Sequence, residues 1–285
     1  MRPHVSFSEL ASFAQGCQWK WKLDYLEDRR SHEEALELDF GSAMHDTLED
    51  FFSRTAPCTE QQAQEFFEKK LRSLYSRHLE KYTPDKKGNK PGEKDIVELV
   101  KSAHAILAYI KQLPELVGIE VVHNEYKLFE SMDRVDGVDM KFKGYIDIVL
   151  KGKDKLGRTI LWIVDFKTCS WGWDREKRDD RWRHYQLFLY KYYLCKKHNI
   201  DPKHVRTAFV LLKKRPSKGA TPVEWFAISA GPVSVQRALE ALSTNVTEMI
   251  EREKDNSFQK DRKKCHEYGR TCPYFDTPLC PNDPK

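Results

Sequence analysis

Long apolar runs are missing from this chain, and their absence argues against a membrane protein. No stretch of about 18 consecutive apolar residues occurs, which is the length that a membrane-spanning helix requires. The first residues, MRPHVSFSELASF, contain no uninterrupted apolar segment of the kind found in a secretory signal. The sequence therefore predicts an intracellular, cytoplasmic protein with no membrane partner.

A strong excess of one charge is also missing. The 49 Lys and Arg residues against 44 Asp and Glu leave a formal net charge of +5, which permits an anionic partner without requiring one. Hydrophobic residues make up 40% and charged residues 33% of the chain, which excludes a largely disordered protein. The 285 residues are enough for one or two domains.

The cysteines do not form a disulfide framework. There are seven of them, an odd number, in a chain without a secretory signal. Cys265, Cys272 and Cys280 fall within the last 21 residues with the spacing C-x6-C-x7-C, and Cys17 is a distant fourth. In a reducing compartment such a cluster indicates metal binding.

Hydrophobic periodicity divides the chain into a helical first part and a mixed remainder. Ser6 or Ser8 is predicted to cap a first helix, and Gly41 is predicted to start a second. Further helices are predicted at 60–82, 93–113, 182–198 and 231–254. Strands are predicted at 119–129, 140–150, 159–168 and 205–213, with the polar turn KGKDKLGR joining the second and third as a hairpin.

The segment TILWIVDFKT (159–168) has the pattern of a strand covered on both sides. Successive side chains of a strand point to opposite faces, and both faces of this segment begin apolar. Asp165 and Lys167 then follow on one face at its C-terminal end. Burying charges is costly unless they pair or meet a metal ion. Taken alone, the simpler interpretation is an ion pair at the end of a strand.

A second carboxylate, Asp147, lies between Ile146 and Ile148 of the preceding strand. If the hairpin turns near Lys155, Asp147 is diagonal to Asp165, and diagonal cross-strand neighbours are about 7–8 Å apart. Two carboxylates at that separation can share a hard divalent cation. A slip of one residue would turn Asp147 to the other face, and a solvated edge residue is the alternative.

These residues form an ordered pattern that resembles the PD-(D/E)XK nuclease superfamily, and within it the RecB-type nucleases. Gly144 and Asp147 match G-x-x-D, and Asp165 and Lys167 match a hydrophobic residue followed by D-x-K. The opening segment SFSELASFAQGCQWKWKLDYL resembles the S-x-S-x-L helix and cysteine with which those domains begin. The resemblance implies an α/β fold, a restriction-endonuclease-like core with a mixed central sheet flanked by helices and a mainly helical N-terminal portion.

Three further elements extend the resemblance. GSAMHDTLE resembles the histidine motif and places His45 on a helix near the site, and NEYKL offers Glu125 on the first strand. Gln186 and Tyr190 resemble the Q-x-x-x-Y motif, whose implied role is to contact the substrate backbone or to support the site. Four residues apart, they share one helix face. Without the resemblance, Tyr190 would be interpreted as a core residue.

The resemblance implies a role for each core residue. Asp147 and Asp165 would bind Mg²⁺ or Mn²⁺, which prefer oxygen ligands, with His45 and the backbone carbonyl of Phe166 as further ligands. Glu125 would touch a second metal or organise the site. Lys167 would orient the attacking water and stabilise the charge that develops on the phosphate.

The four cysteines resemble the iron–sulfur staple of the AddB-type and CRISPR-adaptation members of this branch. The resemblance implies that Cys17, Cys265, Cys272 and Cys280 ligate a [4Fe–4S] cluster. Those members have a tighter downstream spacing, nearer C-x2-C-x5-C. A structural Zn²⁺ is the alternative, with His266 and His4 as substitute ligands.

Residues 196–218 contain eight Lys or Arg and one Asp, a net charge of +7. Lys213, Lys214 and Arg215 are therefore candidates to neutralise phosphates, which would give binding without sequence readout. Four aromatic residues near the predicted site are candidates to stack on unpaired bases: Trp171, Trp173, Trp182 and Tyr185. The alternatives are a solvated charged face and a packed core.

The implied function is a Mg²⁺- or Mn²⁺-dependent DNA nuclease, an exonuclease acting on single-stranded DNA or duplex ends in recombination, repair or processing. No G-x-x-x-x-G-K-[ST] loop occurs, so the chain contains no such helicase motif. It would act alone or with a helicase or recombination protein, in a bacterium or a phage-infected host. An inactive DNA-binding accessory protein and an RNA nuclease remain as alternatives.

The chain is predicted to form a single nuclease domain over residues 1–285. Within it, 1–115 is the helical portion with Cys17 and His45, and 116–215 is the nuclease core. Residues 216–285 form the C-terminal helix and the cysteine cluster.

Overall fold

The computed structural model describes residues 3–30, 35–82, 84, 88–132, 140–267 and 271–281. They fall into two compact units. The smaller unit consists of the described parts of Met1–His32, Phe129–Gly144 and Gln236–Lys285, and the larger unit of those of Glu33–Leu128 and Tyr145–Val235. The prediction of a single domain stays a prediction.

Six strands form one mixed sheet, which confirms the predicted α/β fold class. The strands are β1 (His4–Ser6), β2 (Glu120–Ser131), β3 (Lys141–Lys153), β4 (Thr159–Cys169), β5 (Val205–Lys213) and β6 (Val223–Ile228). Their order is β1-β3-β4-β5-β6, and β2 also pairs with β3. β3 and β4 are antiparallel, β4 and β5 parallel, and β5 and β6 antiparallel.

Eight α-helices are assigned among the described residues. They are α1 (Phe7–Gln15), α2 (Gln18–Tyr25), α3 (Leu36–Phe51), α4 (Glu60–His78), α5 (Glu93–Ile110), α6 (Arg175–Asp179), α7 (Arg181–His198) and α8 (Pro232–Asp255). Ser6 caps α1, since its side chain accepts a hydrogen bond from Glu9 N. No helix in the described part of the chain combines the length and the apolar character needed to cross a membrane.

In the larger unit both faces of the sheet are covered, as the sequence of β4 predicts. On one face, Val164 and Phe166 of β4 join a core cluster with apolar residues of α3, α4 and α5. On the other face α7 packs against β4 and β5 and buries Leu187 and Tyr190. The two layers exclude water from both sides of β4, so a charged residue on this strand is buried unless it lies at the strand's end.

Helix α3 begins earlier than its sequence predicts. The predicted start at Gly41 is wrong, because the helix begins at Leu36 and Gly41 lies inside it. A Cβ atom at Gly41 would stand 3.3 Å from Thr168 Oγ1 of β4. Glycine therefore eases the close approach of helix to strand here and does not act as a cap.

A buried carboxylate joins α3 to the end of α4. Asp39 is 3% exposed, and its two oxygens lie 2.9 and 3.0 Å from His78 Nδ1. The Tyr82 hydroxyl donates a hydrogen bond of 2.5 Å to Asp39 Oδ2. This network is paired at every oxygen, which is what makes a buried carboxylate tolerable.

We expect Tyr82→Phe to lower the free energy of unfolding by about 1–3 kcal/mol, because a buried charge loses a hydrogen bond. Urea denaturation of wild type and variant at equal ionic strength measures the difference. Tyr109→Phe, which removes a hydroxyl from a partly buried ring of α5, serves as the comparison. Equal stability of wild type and Tyr82→Phe would show that the network contributes nothing.

In the smaller unit, aromatic residues pack α1 and α2 against the C-terminal segment. Trp21 is fully buried, with Phe13 at 5.0 Å and Phe258 at 5.8 Å between ring centroids. Trp19 N donates to the Gln259 carbonyl at 3.0 Å. These contacts bring residues more than 200 positions apart into one core and place Cys17 beside the C-terminal segment.

Candidate active site

The register of the β3–β4 hairpin brings two carboxylates together. Ile148 pairs with Val164 as the last pair of the ladder, and the same register continued by one position sets Asp147 opposite Asp165 on one face. The predicted diagonal arrangement is therefore wrong, because the turn is centred on Leu156 and not on Lys155, which shifts the partner of each residue by two positions. Directly opposite residues are closer than diagonal ones, which strengthens the mutual repulsion of the two charges.

Asp165 is the most buried acid of the site, at 2% exposed. Its Oδ1 accepts a hydrogen bond of 2.9 Å from Gln186 Nε2. The Lys167 ammonium lies 2.7 Å from its Oδ2. That pair lacks hydrogen-bond geometry, so Oδ2 accepts no hydrogen bond among the described residues. A buried carboxylate oxygen in this state is suited to a cationic ligand.

Asp147 is held by the backbone of the neighbouring strand. Its Oδ2 accepts a hydrogen bond of 2.7 Å from Phe166 N and lies 3.5 Å from His45 Nδ1. Burial raises the pKa of Asp147 well above its ordinary value, and the charge of Asp165 raises it further. Two neighbouring buried carboxylates need a compensating positive charge if both are to stay ionised.

His45 reaches the site from α3. Burial lowers the pKa of His45 below its ordinary value, although the charge of Asp165 opposes the shift. The imidazole forms a hydrogen bond with the Phe166 backbone carbonyl. His45 and this carbonyl, both predicted ligands, are thus next to each other and next to Asp147. A neutral imidazole is the form that ligates metals.

Glu125 enters the site from β2 in an unusual conformation. Its φ angle is 43°, a left-handed value that is costly for a side chain of this size. Asn124 anchors the strand on one side by donating a 2.9 Å hydrogen bond to the Glu49 carbonyl. Burial raises the pKa of Glu125, and the charges of Glu49, Asp46 and Asp165 raise it further.

Glu49 was not identified from the sequence. It lies four residues after His45 on α3, which places both on one face of the helix. That spacing was the signal that would have found it.

Gln186 and Tyr190 support Asp165 from α7. Gln186 Nε2 lies 2.9 Å from Asp165 Oδ1 and 3.1 Å from the Tyr190 hydroxyl. Tyr190 is 4% exposed and also forms a hydrogen bond with the Tyr145 backbone. Burial raises the pKa of Tyr190, so the hydroxyl stays protonated. The geometry is that of residues that orient the carboxylate.

A small cavity lies beside His45, Glu125 and Asp147. Its volume is about 10 Å³, and its lining includes His45, Glu125, Asp147 and Phe166. A cavity of about 10–15 Å³ holds one water-sized ligand. The site therefore offers room for a single small ligand beside the carboxylates.

The donor chemistry fits a hard divalent cation. Carboxylates, a carbonyl oxygen and an imidazole surround the space, and the mutual repulsion that contributes to the raised pKa values of Asp147 and Glu125 favours a cation there. In the structure as described, no three His, Cys, Asp or Glu side chains already stand in a closed ligand set.

The three basic residues at and after the end of β5, Lys213, Lys214 and Arg215, differ in their exposure. Lys213 and Lys214 are each only 8% exposed. Lys213 forms an ion pair of 2.8 Å with Glu224, and burial lowers the pKa of Lys214. Both ammonium groups are therefore little exposed, and their contact with phosphate stays a prediction. Arg215 is the exposed member of the three.

The four cysteines predicted to bind a cluster, Cys17, Cys265, Cys272 and Cys280, all lie in the smaller unit. Cys17 Sγ accepts a hydrogen bond of 3.3 Å from Asp261 N, and the Cys265 carbonyl accepts one of 2.7 Å from Cys272 N. Arg262 donates to Cys280 Sγ at 3.6 Å. Burial raises the pKa of Cys272, with smaller contributions from Cys265 and Cys17. The described thiols do not gather as a set of three or more.

The comparison with known families agrees with this geometry. A model of the PD-(D/E)XK nuclease superfamily matches residues 4–281, a range that contains every residue of the site. No curated protein matches the chain.

Proposed function

Because the chain belongs to the PD-(D/E)XK nuclease superfamily, whose members are hydrolases acting on phosphodiester bonds, we propose that it is a metal-dependent deoxyribonuclease. The observation that supports this best is the ion pair of Asp165 with Lys167 on the strand next to Asp147, which itself lines a cavity large enough for one small ligand. Structural ion pairs seldom leave a carboxylate oxygen buried without a hydrogen bond.

In this proposal Asp147 and Asp165 hold a divalent ion, with His45 and the Phe166 carbonyl as further ligands. A bound Mg²⁺ or Mn²⁺ supplies Lewis-acid activation of water and screens the charge of the phosphodiester. The Lys167 ammonium orients the nucleophilic water and stabilises negative charge on the phosphate oxygens. The support for this role is that the Lys167 ammonium lies 2.7 Å from Asp165 Oδ2, beside the proposed ligand.

The remaining residues position this machinery. Gln186 fixes the rotamer of Asp165 through its amide, and Tyr190 fixes Gln186. Glu125 faces the same space from the strained position in β2. Contact with a second metal ion and organisation of the site are its two candidate roles.

The finer assignments rest on the sequence pattern. The order of the histidine helix, G-x-x-D, D-x-K and Q-x-x-x-Y supports the RecB-type branch. We accordingly propose exonuclease action on single-stranded DNA or duplex ends, in recombination, repair or processing, alone or with a helicase or recombination protein.

A cleavage screen tests the proposed function. Labelled single-stranded DNA, double-stranded DNA and RNA are incubated with wild type and Asp165→Asn in Mg²⁺, in Mn²⁺ and with a chelator. We expect wild type to degrade DNA only with a divalent ion. Degradation of RNA alone would support the alternative substrate. Binding of DNA without cleavage of any substrate would support an inactive accessory protein.

We also propose that Cys17, Cys265, Cys272 and Cys280 hold a [4Fe–4S] cluster in the smaller unit. The support is their resemblance to the four-cysteine staple and the hydrogen bonds by which Cys17 and Cys265 both contact the backbone of Asp261. Four thiolates there would tie the N-terminal helices to the C-terminus. A structural Zn²⁺ is the alternative occupant.

Anaerobic purification distinguishes these occupants. We expect about four iron atoms and four acid-labile sulfides per chain, and loss of both in Cys272→Ser. Cys195→Ser is the matched control, because this cysteine lies in α7 of the larger unit. One zinc atom per chain and no iron would support the structural Zn²⁺ and contradict the cluster. A metal-free protein would contradict both proposals.

A further inference from the structure

One exposed aromatic residue lies immediately after the strand that supplies the catalytic lysine. Trp171 is 69% exposed and follows Lys167 by four positions. Four residues of chain span at most about 14 Å between their Cα atoms, so the backbone of Trp171 lies near that of Lys167. A single exposed tryptophan needs no explanation in itself, but the loop that contains this one is anchored on both sides.

The loop that contains Trp171 is anchored on its N-terminal side. Lys214 N donates to the Cys169 carbonyl at 2.8 Å, and Arg215 N donates to the Ser170 carbonyl at 2.7 Å. These bonds extend the pairing with the β5 segment beyond the end of β4. The backbone up to the residue before Trp171 is therefore held in place.

The loop is anchored on its C-terminal side as well. Trp173 is 8% exposed and packs edge-on against Phe209, with 5.0 Å between ring centroids. Its carbonyl accepts a hydrogen bond of 2.8 Å from Arg178 Nε. Arg178 in turn pairs with Glu224 at 2.6 Å. The second tryptophan of the loop is thus a core residue, which excludes it from base stacking.

Gly172 separates these two tryptophans by a conformation that other residues avoid. Its φ angle is 121°, and a Cβ atom there would stand 3.3 Å from Lys213 Cε. The reversal lets Trp173 enter the core while Trp171 remains in solvent. Lys213, buried against this glycine and paired with Glu224, belongs to the support of the loop.

We propose that Trp171 is a stacking platform for an unpaired base of the nucleic-acid strand being cleaved. Trp171 presents an aromatic face on a fixed backbone. The exposed residue Arg215 is next to it, since its backbone N–H donates to the carbonyl of Ser170. An aromatic ring together with a cation is the combination that binds single strands without sequence preference. The other two candidates from the sequence contact each other, since the rings of Trp182 and Tyr185 lie 5.4 Å apart. This inference rests on the proposed nuclease function and specifies its substrate as locally single-stranded.

Equilibrium binding tests the platform without catalysis. The affinity for a fluorescent single-stranded oligonucleotide is measured with a chelator present, for wild type, Trp171→Ala and Trp171→Phe. We expect about ten-fold weaker binding by Trp171→Ala, with most of the affinity restored by Trp171→Phe. Leu156→Ala removes a side chain that is 75% exposed in the hairpin turn of the same unit and is expected to bind as wild type does.

A set of oligonucleotides each lacking one base locates the contact. Wild type should lose affinity when the missing base is the one that stacks, and Trp171→Ala should be indifferent to that same deletion. Unchanged affinity in Trp171→Ala, or equal sensitivity of both proteins to every missing base, would overturn the inference. The proposed nuclease function fails separately, by cleavage in Asp165→Asn, because the binding measurement involves no cleavage.

Discussion

Asp165→Asn is expected to lower the rate of DNA cleavage by about a thousand-fold or more, which corresponds to about 4 kcal/mol of lost transition-state stabilisation. Asparagine has the same shape, and its carbonyl oxygen still accepts the hydrogen bond from Gln186. The fold should therefore persist while the charge that holds the cation is lost. Single-turnover cleavage of end-labelled DNA measures the effect.

The control for this variant is Glu98→Gln on α5. Glu98 is 61% exposed and pairs with Lys101, so it reproduces the loss of one carboxylate charge outside the site. We expect it to cleave at the wild-type rate. Circular dichroism of Asp165→Asn must match wild type for the result to count, and a folded, active Asp165→Asn would contradict the assignment.

Lys167→Met is expected to lower the maximal rate by about a hundred- to a thousand-fold, in the range seen when one charge-stabilising donor is removed. The methionine keeps the length of the side chain but removes the ammonium beside Asp165 Oδ2. Affinity for Mn²⁺ should stay equal or become tighter, because a competing positive charge is gone. Titration calorimetry measures that affinity alongside the cleavage rate.

This pairing of effects separates the two residues. Both variants lose activity, but Asp165→Asn should lose Mn²⁺ binding and Lys167→Met should keep it. Lys101→Met, which removes an ammonium that is 68% exposed on α5, is the matched control. Loss of Mn²⁺ binding in Lys167→Met would show that the lysine acts only by maintaining the site.

The sequence predicted β2, β3, β4 and β5 and the order of the core motifs, because these follow from local pattern. β5 was predicted at 205–213 and lies at Val205–Lys213. Alternation along β4 identified a strand covered on both faces, and covered it is, by α7 on one side and α3–α5 on the other. The placement of Asp147 next to Asp165 also followed from the hairpin, although the predicted turn centre was wrong by one residue and the register by two positions.

Features that depend on tertiary packing could not be predicted in this way. β6 is only six residues long, and its pairing with β5 is decided by the register of the sheet. Lys213 and Lys214 belong to a basic run that looks exposed, yet Glu224 of β6 and the Phe40 ring of α3 contact them. The left-handed conformation of Glu125 likewise has no signal in the residue itself.

Manganese soaked into crystals of the wild-type protein shows whether Asp147 and Asp165 hold one divalent ion. We expect an anomalous-scattering peak within ligand distance of both carboxylates, and no peak there in crystals of Asp165→Asn. Carboxylates that point into separate environments with no ion between them, in crystals of protein that cleaves DNA, would contradict it.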